Sequence, residues 1–154
     1  MKRLISFVLC LVVFISSLAF NVSANNGADL LLSENGYYVE TTIIEDKSSI
    51  TRASTYTKSG SKVQTVRDAD GNVLFSFTLK GTFTVNSGVS ATCTSVSYTY
   101  SITDDAWDFD SANTSKSGNT ASGTAIFKKK ILFITTTEET INLTLQCDKN
   151  GNLS

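Results

Sequence analysis

The amino-acid sequence predicts an all-β fold: an antiparallel β-sandwich of about seven to nine strands, immunoglobulin-like in architecture. Three observations lead to this prediction. Apolar residues recur at every second position in several segments, the chain contains no proline, and Gly- and Asn-containing turn signals separate these segments. No segment shows a helical period. An up-and-down β-barrel is the alternative, because it has the same alternation and the same turns.

The clearest strand lies at residues 73–85, where apolar side chains occupy every second position and only Gly81 interrupts the series. This alternation indicates a half-buried strand, because successive side chains of a strand point to opposite faces. A loop at 86–88, with Gly88 in the left-handed conformation, is expected to turn the chain into the next strand. The expected pairs are Val85 with Val89, Phe83 with Ala91, and Gly81 with Cys93, so that Gly81 leaves room for a disulfide.

The strand after this loop changes phase near Ser95. Its apolar residues are odd-numbered from Val89 to Cys93 and even-numbered from Val96 to Ile102. One extra residue near Ser95 restores the alternation, which predicts a β-bulge. A crossing of the strand from one sheet to the other is the alternative.

The remaining strands follow from shorter runs of β-branched and aromatic residues between turn signals. The expected ranges are 37–44, 50–57, 62–67, 107–109, 121–127 and 134–147. The run 62–67 is so polar that we expect it at the edge of a sheet.

The N-terminus resembles a secretory signal peptide. Lys2 and Arg3 precede an apolar run at 4–20, and Val22-Ser23-Ala24 supplies the small residues that a signal peptidase reads. We expect cleavage after Ala24 and secretion of the remaining chain. An uncleaved anchor helix is the alternative, although about 17 residues are short of the roughly 20 that span a bilayer. Residues 25–36 would then form a flexible lead-in, and residues 37–154 a single domain.

Composition excludes several functions. Loss of Lys2 and Arg3 changes the formal net charge from −1 to −3, which gives no basis for nucleic-acid binding, because that needs a clustered basic surface. The chain has no histidine, which removes Ser-His-Asp and Cys-His catalysis together with the commonest metal ligand. We therefore expect a non-catalytic protein without a cofactor.

Cys93 and Cys147 are the cysteines that remain after the leader. An even number of cysteines in an exported chain predicts a disulfide. Two separate buried thiols are the alternative. If the two cysteines are oxidised, they cannot serve a zinc site.

Four aspartates, Asp104, Asp105, Asp108 and Asp110, flank Trp107. Paired carboxylates beside an aromatic residue occur in glycan hydrolases, and several oxygens in one loop suit calcium. A solvated acidic loop explains the same pattern. Asp68–Asn72 and Asp148–Asn152 resemble half of a calcium loop, but Asp-Gly and Asn-Gly are also strong turn formers.

The run Lys128-Lys129-Lys130-Ile131-Leu132-Phe133-Ile134 joins three cations to four apolar residues. As an exposed hairpin tip, it could contact an anionic membrane or a partner protein. The alternative is that the strand bends and these apolar residues cap one end of the sandwich.

Tyr98, Tyr100 and Trp107, with Tyr37 and Tyr38, are candidates for an aromatic carbohydrate-binding face. Packing in the core or on a sheet surface is the alternative explanation for these rings.

Three stretches in the C-terminal half carry a family resemblance. They read GTFTV…SATCTS at 81–95, SKSGNTASGT at 115–124, and LTLQCDKNGNLS at 143–154. They are similar to a family of small secreted proteins, of unassigned function, from clostridia and related Gram-positive bacteria. The resemblance implies secretion and pairing of Cys93 with Cys147, and it transfers no catalytic residue.

Together these observations predict a secreted, non-catalytic binding or surface-interaction module whose ligand is a glycan or another protein. A membrane-active factor that uses residues 128–134 is the alternative, and a carboxylate-based glycan hydrolase ranks third.

Overall fold

The computed structural model describes residues 29–46 and 54–154, which form antiparallel strands in two sheets. The strands are β1 (Asp29–Leu32), β2 (Tyr38–Glu45), β3 (Thr55–Arg67), β4 (Val73–Asn86), β5 (Ser90–Ile102), β6 (Trp107–Ser117), β7 (Thr120–Ile131) and β8 (Ile134–Gln146). The predicted antiparallel sandwich and its number of strands are confirmed. The expected signal peptide, residues 1–24, lies outside the described residues.

Within each sheet, every strand pairs with the next strand along the chain, and the connection from β5 to β6 passes from one sheet to the other, so the molecule consists of two stacked meanders. One sheet has the order β1-β2-β3-β4-β5, and the other has the order β6-β7-β8. The sheets are not joined into a closed barrel, which excludes the up-and-down alternative. The likeness to immunoglobulin folds is therefore one of layered architecture, whereas immunoglobulin domains use Greek-key connections. Residues 29–46 and 54–154 form strands and turns, and they contain no helix that is long and apolar enough to cross a membrane.

The core lies between the two sheets. β8 packs over β3 and β4, β7 over β4 and β5, and β6 beside β5. The odd-numbered residues of β4 from Phe75 to Val85 point into this core, as the alternation predicted. The largest buried side chains are Trp107, Phe75, Phe77, Phe83, Phe127, Leu79, Ile141 and Leu145.

The hairpin between β4 and β5 has the predicted bulge but a different register. Asn86 pairs with Ser90 and Val85 with Ala91, so the predicted pairing of Val85 with Val89 is wrong by two residues. Gly88 has φ +74°, as predicted, in the middle of the loop. Even-numbered steps preserve the face of each side chain, which explains why the alternation could not detect the shift.

The predicted bulge lies at Thr94. Thr82 pairs with Ser95 and Phe83 with Cys93, which leaves Thr94 as the extra residue. Phe83, rather than Gly81, is therefore opposite Cys93. The space above Gly81 holds the Phe83 ring and Leu145, because a Cβ atom at Gly81 would lie 2.8 Å from that ring and 3.2 Å from Leu145 Cδ2.

One further prediction about strands is wrong, and part of the expected lead-in forms a strand. The range 62–67 belongs to the continuous strand β3, which lies between β2 and β4 and is not an edge. The expected flexible lead-in at 25–36 contains β1, which pairs with β2 through Asp29–Thr41 and Leu32–Tyr38. Residues 25–28 of that lead-in lie outside the described part of the chain.

Candidate functional site

The hairpin between β7 and β8 ends in an apolar turn. Ile131 pairs with Ile134, and the two residues between them, Leu132 and Phe133, form the turn itself. We call residues 131–134 the β7–β8 tip. The cations at 128–130 precede it on β7.

Both turn residues have left-handed backbone conformations. The φ angles are 48° at Leu132 and 69° at Phe133. Two-residue hairpin turns with two positive φ angles normally use Asn-Gly or a similar pair. Residues with a Cβ atom lose about 1–2 kcal/mol each in this conformation. The tip is therefore strained, and strain of this kind concentrates at functional sites.

The tip also exposes its apolar side chains. Phe133 is 98% exposed and Leu132 is 85% exposed, while Ile131 and Ile134 are 53% and 68% exposed. Of the two alternatives for this run, the structure therefore has the exposed tip and not the cap over the end of the sandwich. Four adjacent apolar side chains in solvent form a patch of the kind that marks interaction sites.

Ion pairs surround the base of the tip. Lys128 Nζ lies 2.9 Å from Asp110 Oδ1 and 3.8 Å from Glu138 Oε2. Lys130 Nζ lies 2.7 Å from Asp108 Oδ2. The hydrogen bond from Lys128 lowers the pKa of Asp110, and the same bond raises the pKa of Lys128. These lysines are therefore largely neutralised by neighbouring carboxylates.

Trp107 anchors the base of this hairpin to the core. Its main chain pairs with Lys129, and Lys130 N donates to Ala106 O at 2.8 Å. The indole ring is 1% exposed and packs against Phe75, with ring centroids 4.7 Å apart. The indole Nε1 has no hydrogen-bond partner in the described residues, so the Trp107 side chain contributes through its apolar contacts in the core.

The residues of the predicted aromatic face do not lie together on one surface. Trp107 is inside the core, whereas Tyr98 and Tyr100 lie on the inward face of β5, at the edge of its sheet. Tyr100 stacks on Phe109 with centroids 4.0 Å apart, and Phe77 contacts Tyr98 at 5.7 Å. These rings pack against each other along the side of the sandwich between β5 and β6, where Tyr98 and Tyr100 stay 38% and 48% exposed. Their contacts with Phe77 and Phe109 favour the packing explanation. Phe109 was missed as a member, although its alternation with Trp107 was visible.

The four aspartates are distributed around the β5–β6 connection and the start of β6. Asp104 Oδ1 accepts a hydrogen bond from Ala106 N at 2.9 Å, while Asp108 and Asp110 are in the ion pairs with lysine. Asp105 is exposed. Within residues 29–46 and 54–154, no three acidic, cysteine or histidine side chains converge on a position suitable for a metal. Calcium binding at this loop stays a prediction.

The expected disulfide is absent from the structure. Cys93 and Cys147 are both buried free thiols. Each thiol lies against a nearby main-chain carbonyl: Cys93 Sγ is 3.4 Å from Ser95 O, and Cys147 Sγ is 3.6 Å from Asp148 O. The predicted bridge is therefore wrong, and the alternative of two separate buried thiols describes the molecule. The bulge register also places Phe83, and not Gly81, opposite Cys93.

The two segments that resemble calcium loops are closed turns. Asp68 Oδ1 accepts the N–H groups of Asp70 and Asn72, and Asp68 Oδ2 accepts the Asn72 side chain at 3.0 Å. Asp148 makes the same set of bonds with Asn150 and Asn152. Both aspartate oxygens are therefore occupied by the turn itself.

Comparison of the chain with protein-family models, with curated proteins and with solved structures found no match. The similarity to secreted clostridial proteins therefore stays a hypothesis that rests on the three quoted stretches. The β7–β8 tip is the candidate site that follows from the geometry.

Proposed function

We propose that this protein is a secreted, non-catalytic interaction module that binds lipid bilayers by inserting the β7–β8 tip. The observation that carries the proposal is the position of Leu132 and Phe133, 85% and 98% exposed, on a strained two-residue turn. A narrow apolar finger of this kind has little area for a flat protein interface, whereas it can enter the boundary between headgroups and acyl chains.

The energetics favour shallow and reversible binding. Burial of an exposed Leu or Phe side chain contributes about 1.5–3 kcal/mol. The turn's own peptide groups oppose deep insertion, because a polar group without a hydrogen bond is costly in hydrocarbon. We therefore place Leu132 and Phe133 in the acyl region, and Ile131 and Ile134 at its boundary.

The charges near the tip predict that the strength of vesicle binding depends only modestly on lipid charge. Lys129 and Lys130 lie where headgroups would contact the hairpin, but Asp108 already pairs with Lys130. Anionic lipid should therefore strengthen binding less than a cluster of three free lysines would.

Sedimentation with phosphatidylcholine vesicles, with and without phosphatidylglycerol, tests the proposal. The double variant Leu132→Ser with Phe133→Ser should lose binding to both, because it removes the two apolar side chains that enter the acyl region and leaves the strands unchanged. Val89→Ser is the matched control, since Val89 is also apolar, 69% exposed and in a hairpin loop. The idea fails if the double variant sediments with vesicles as well as the native protein does, or if the native protein stays in the supernatant.

Export of the chain is part of this proposal, because a bilayer-binding secreted factor must first leave the cell. The charged start, the apolar run 4–20 and Ala24 support it. N-terminal sequencing of the exported protein should begin at Asn25. An exported or cell-bound chain that still begins at Met1 would contradict the predicted cleavage.

A further inference from the structure

The two sheets differ in width, and this difference leaves a groove. Five strands face three, and the three-stranded sheet covers β3, β4 and β5. The inward faces of β1 and β2 therefore extend beyond β8, which is the edge strand of the smaller sheet. The groove between them encloses about 680 Å³ and includes Leu31, Val39, Ile43, Asn142 and Thr144 in its lining.

Contacts at the two ends of this groove show which residues of β8 point their main-chain N–H and C=O groups away from β7. Gln146 N and O bond to Ser154 O and N at 2.9 and 3.0 Å, and Glu138 O accepts from Asn35 Nδ2 at 3.4 Å. Even-numbered residues of β8 therefore direct their main-chain groups to the open edge. Between these two ends lie Thr140, Asn142 and Thr144, for whose main-chain groups the described residues supply no partner on that edge.

Leu153 and Ser154 already occupy the start of an additional strand beside β8. Leu153 pairs with Cys147 in antiparallel orientation, and Ser154 exchanges both main-chain hydrogen bonds with Gln146. A strand that continued this direction would pass Thr144, Asn142 and Thr140 in turn. Its alternate side chains would point towards the floor of the groove, on the same side as Leu153. That floor combines Leu31, Val39 and Ile43 with Thr41, Lys62 and Gln64.

We propose that this groove binds an extended peptide segment of a partner protein, which adds a fourth strand to the small sheet beside β8. Main-chain hydrogen bonds would supply part of the affinity, and the side chains that face Leu31, Val39 and Ile43 would supply specificity. Lys62 also lines the groove and favours a segment with an acidic residue among its inward-facing positions.

The length of the open edge favours a peptide over a second copy of this chain. At one end of the open edge, Ser154 is hydrogen-bonded to Gln146. At the other end, Asn35 in the β1–β2 turn donates hydrogen bonds to Glu138 and Glu139. The β8 strand of a second copy spans Ile134–Gln146 and would collide with both boundaries. A peptide can bend away at each boundary and needs to be straight only from Thr140 to Thr144.

A synthetic peptide with the sequence Thr-Val-Thr-Glu-Thr-Val-Thr, labelled with a fluorophore, is the probe. Three of its four Thr residues would exchange main-chain hydrogen bonds with Thr140, Asn142 and Thr144. Side chains directly opposite each other share a face of the sheet, so the Val and Glu residues, opposite odd-numbered residues of β8, would face the groove. N-methylation of the Thr residues removes the N–H groups that face β8, and should weaken binding by at least about tenfold. N-methylation of the Val and Glu residues leaves those N–H groups intact and should change affinity much less.

A matched pair of protein variants tests the same hydrogen bonds from the other side. Asn142→Pro removes a main-chain N–H at the open edge, where proline is tolerated, and Asn142→Ala keeps it. Both variants lose the side-chain hydrogen bond with Thr124, so they differ in the N–H and in the restriction that the proline ring places on the backbone. Asn142→Pro should weaken peptide binding about tenfold relative to Asn142→Ala. If Asn142→Pro fails to fold, the methylated peptides still test the proposal on the native protein.

Amide hydrogen exchange locates the bound peptide. The amides of Thr140, Asn142 and Thr144 should become protected when it binds, and the serine double variant of the tip should bind it as well as the native protein does. Failure of the tip proposal would therefore leave this one intact. No saturable binding up to about 1 mM would overturn the groove proposal. Equal effects of the two methylation patterns would overturn it too, as would a dimer that protects these three amides without peptide.

Discussion

At the residue scale, the tip shows a conflict between local stability and exposure. Leu132 and Phe133 adopt φ angles of 48° and 69°, which suit Asn-Gly far better than two residues with large side chains. Their side chains are also almost fully exposed, so burial does not compensate for the strain. Side chains that are unfavourable for both the turn and the solvent point to a binding role at this position.

Replacement of the turn should separate stability from binding. The double variant Leu132→Asn with Phe133→Gly should raise the free energy of unfolding by about 1–2 kcal/mol, because it relieves the left-handed strain. It should also abolish sedimentation with phosphatidylcholine vesicles. Urea unfolding and vesicle sedimentation measure the two effects. A less stable variant would mean that the apolar turn contributes to the fold, and the argument from strain would be wrong.

At the element scale, the chain uses the same turn twice. Asp68–Asn72 and Asp148–Asn152 share an aspartate that accepts three bonds, a glycine with φ +85° and an asparagine that donates twice. The second turn also packs on β3, where Tyr56 Oη donates to Asn150 O at 3.0 Å. The hydrogen bonds that Asp148 accepts within this turn lower its pKa below the usual value, and the bond from the Asn152 side chain has the largest effect.

The lowered pKa predicts how acid affects this turn. A carboxyl whose pKa is lower in the folded state stabilises the fold above its unfolded pKa, which is about 3.9, and loses that effect as pH falls through its folded pKa. Asp148→Asn should therefore lower Tm at neutral pH, and the difference from the native protein should shrink as pH falls below about 4. Thermal unfolding followed across this range measures the difference. A constant difference at all pH values would mean that the charge of Asp148 is not what stabilises the turn.

At the scale of the whole molecule, the two thiols lie where the sheets and the β6–β7 turn meet. Cys93 N donates to Gly118 O at 2.7 Å, and Cys147 N donates to Asn119 O at 3.1 Å. The β6–β7 turn thus accepts a main-chain hydrogen bond from Cys93 in β5 and another from Cys147, which follows β8. Burial raises the pKa of both thiols, and Asp148 raises that of Cys147 further.

Alkylation should distinguish free thiols from the disulfide that the cysteine count predicted. Cys93 and Cys147 should react slowly with iodoacetamide in the native protein, because buried thiols with raised pKa values hold little thiolate. Both should react fully in denaturant without reductant. Peptide mass spectrometry of the labelled protein gives the extent at each position. Resistance of both cysteines to alkylation in denaturant would show that the protein contains the bridge.

Packing between the sheets depends on positions that no local pattern marks. A Cβ atom at Gly123 would lie 2.8 Å from Leu79 Cδ1, so β7 can approach β4 only because this residue has no side chain. The SGNTASGT stretch gave no indication of this contact. Gly60 similarly lies beneath Leu153, where a Cβ atom would meet its Cδ1.

The sequence by itself determined the features that depend on neighbouring residues. Alternation along β4 placed its odd residues in the core, the change of phase near Ser95 located the bulge, and Gly88 marked the left-handed loop position. These are local effects, because side-chain direction and turn conformation follow from a few adjacent residues.

Only the tertiary structure decided how these elements combine. A shift of two residues keeps every side chain on its face, so alternation could not set the β4–β5 register or show which group lies opposite Cys93. The burial of Trp107, the exposure of Phe133 and the groove beside β8 depend on how much of one sheet the other covers. That coverage follows from contacts between distant strands, which the order of residues along a single strand does not encode.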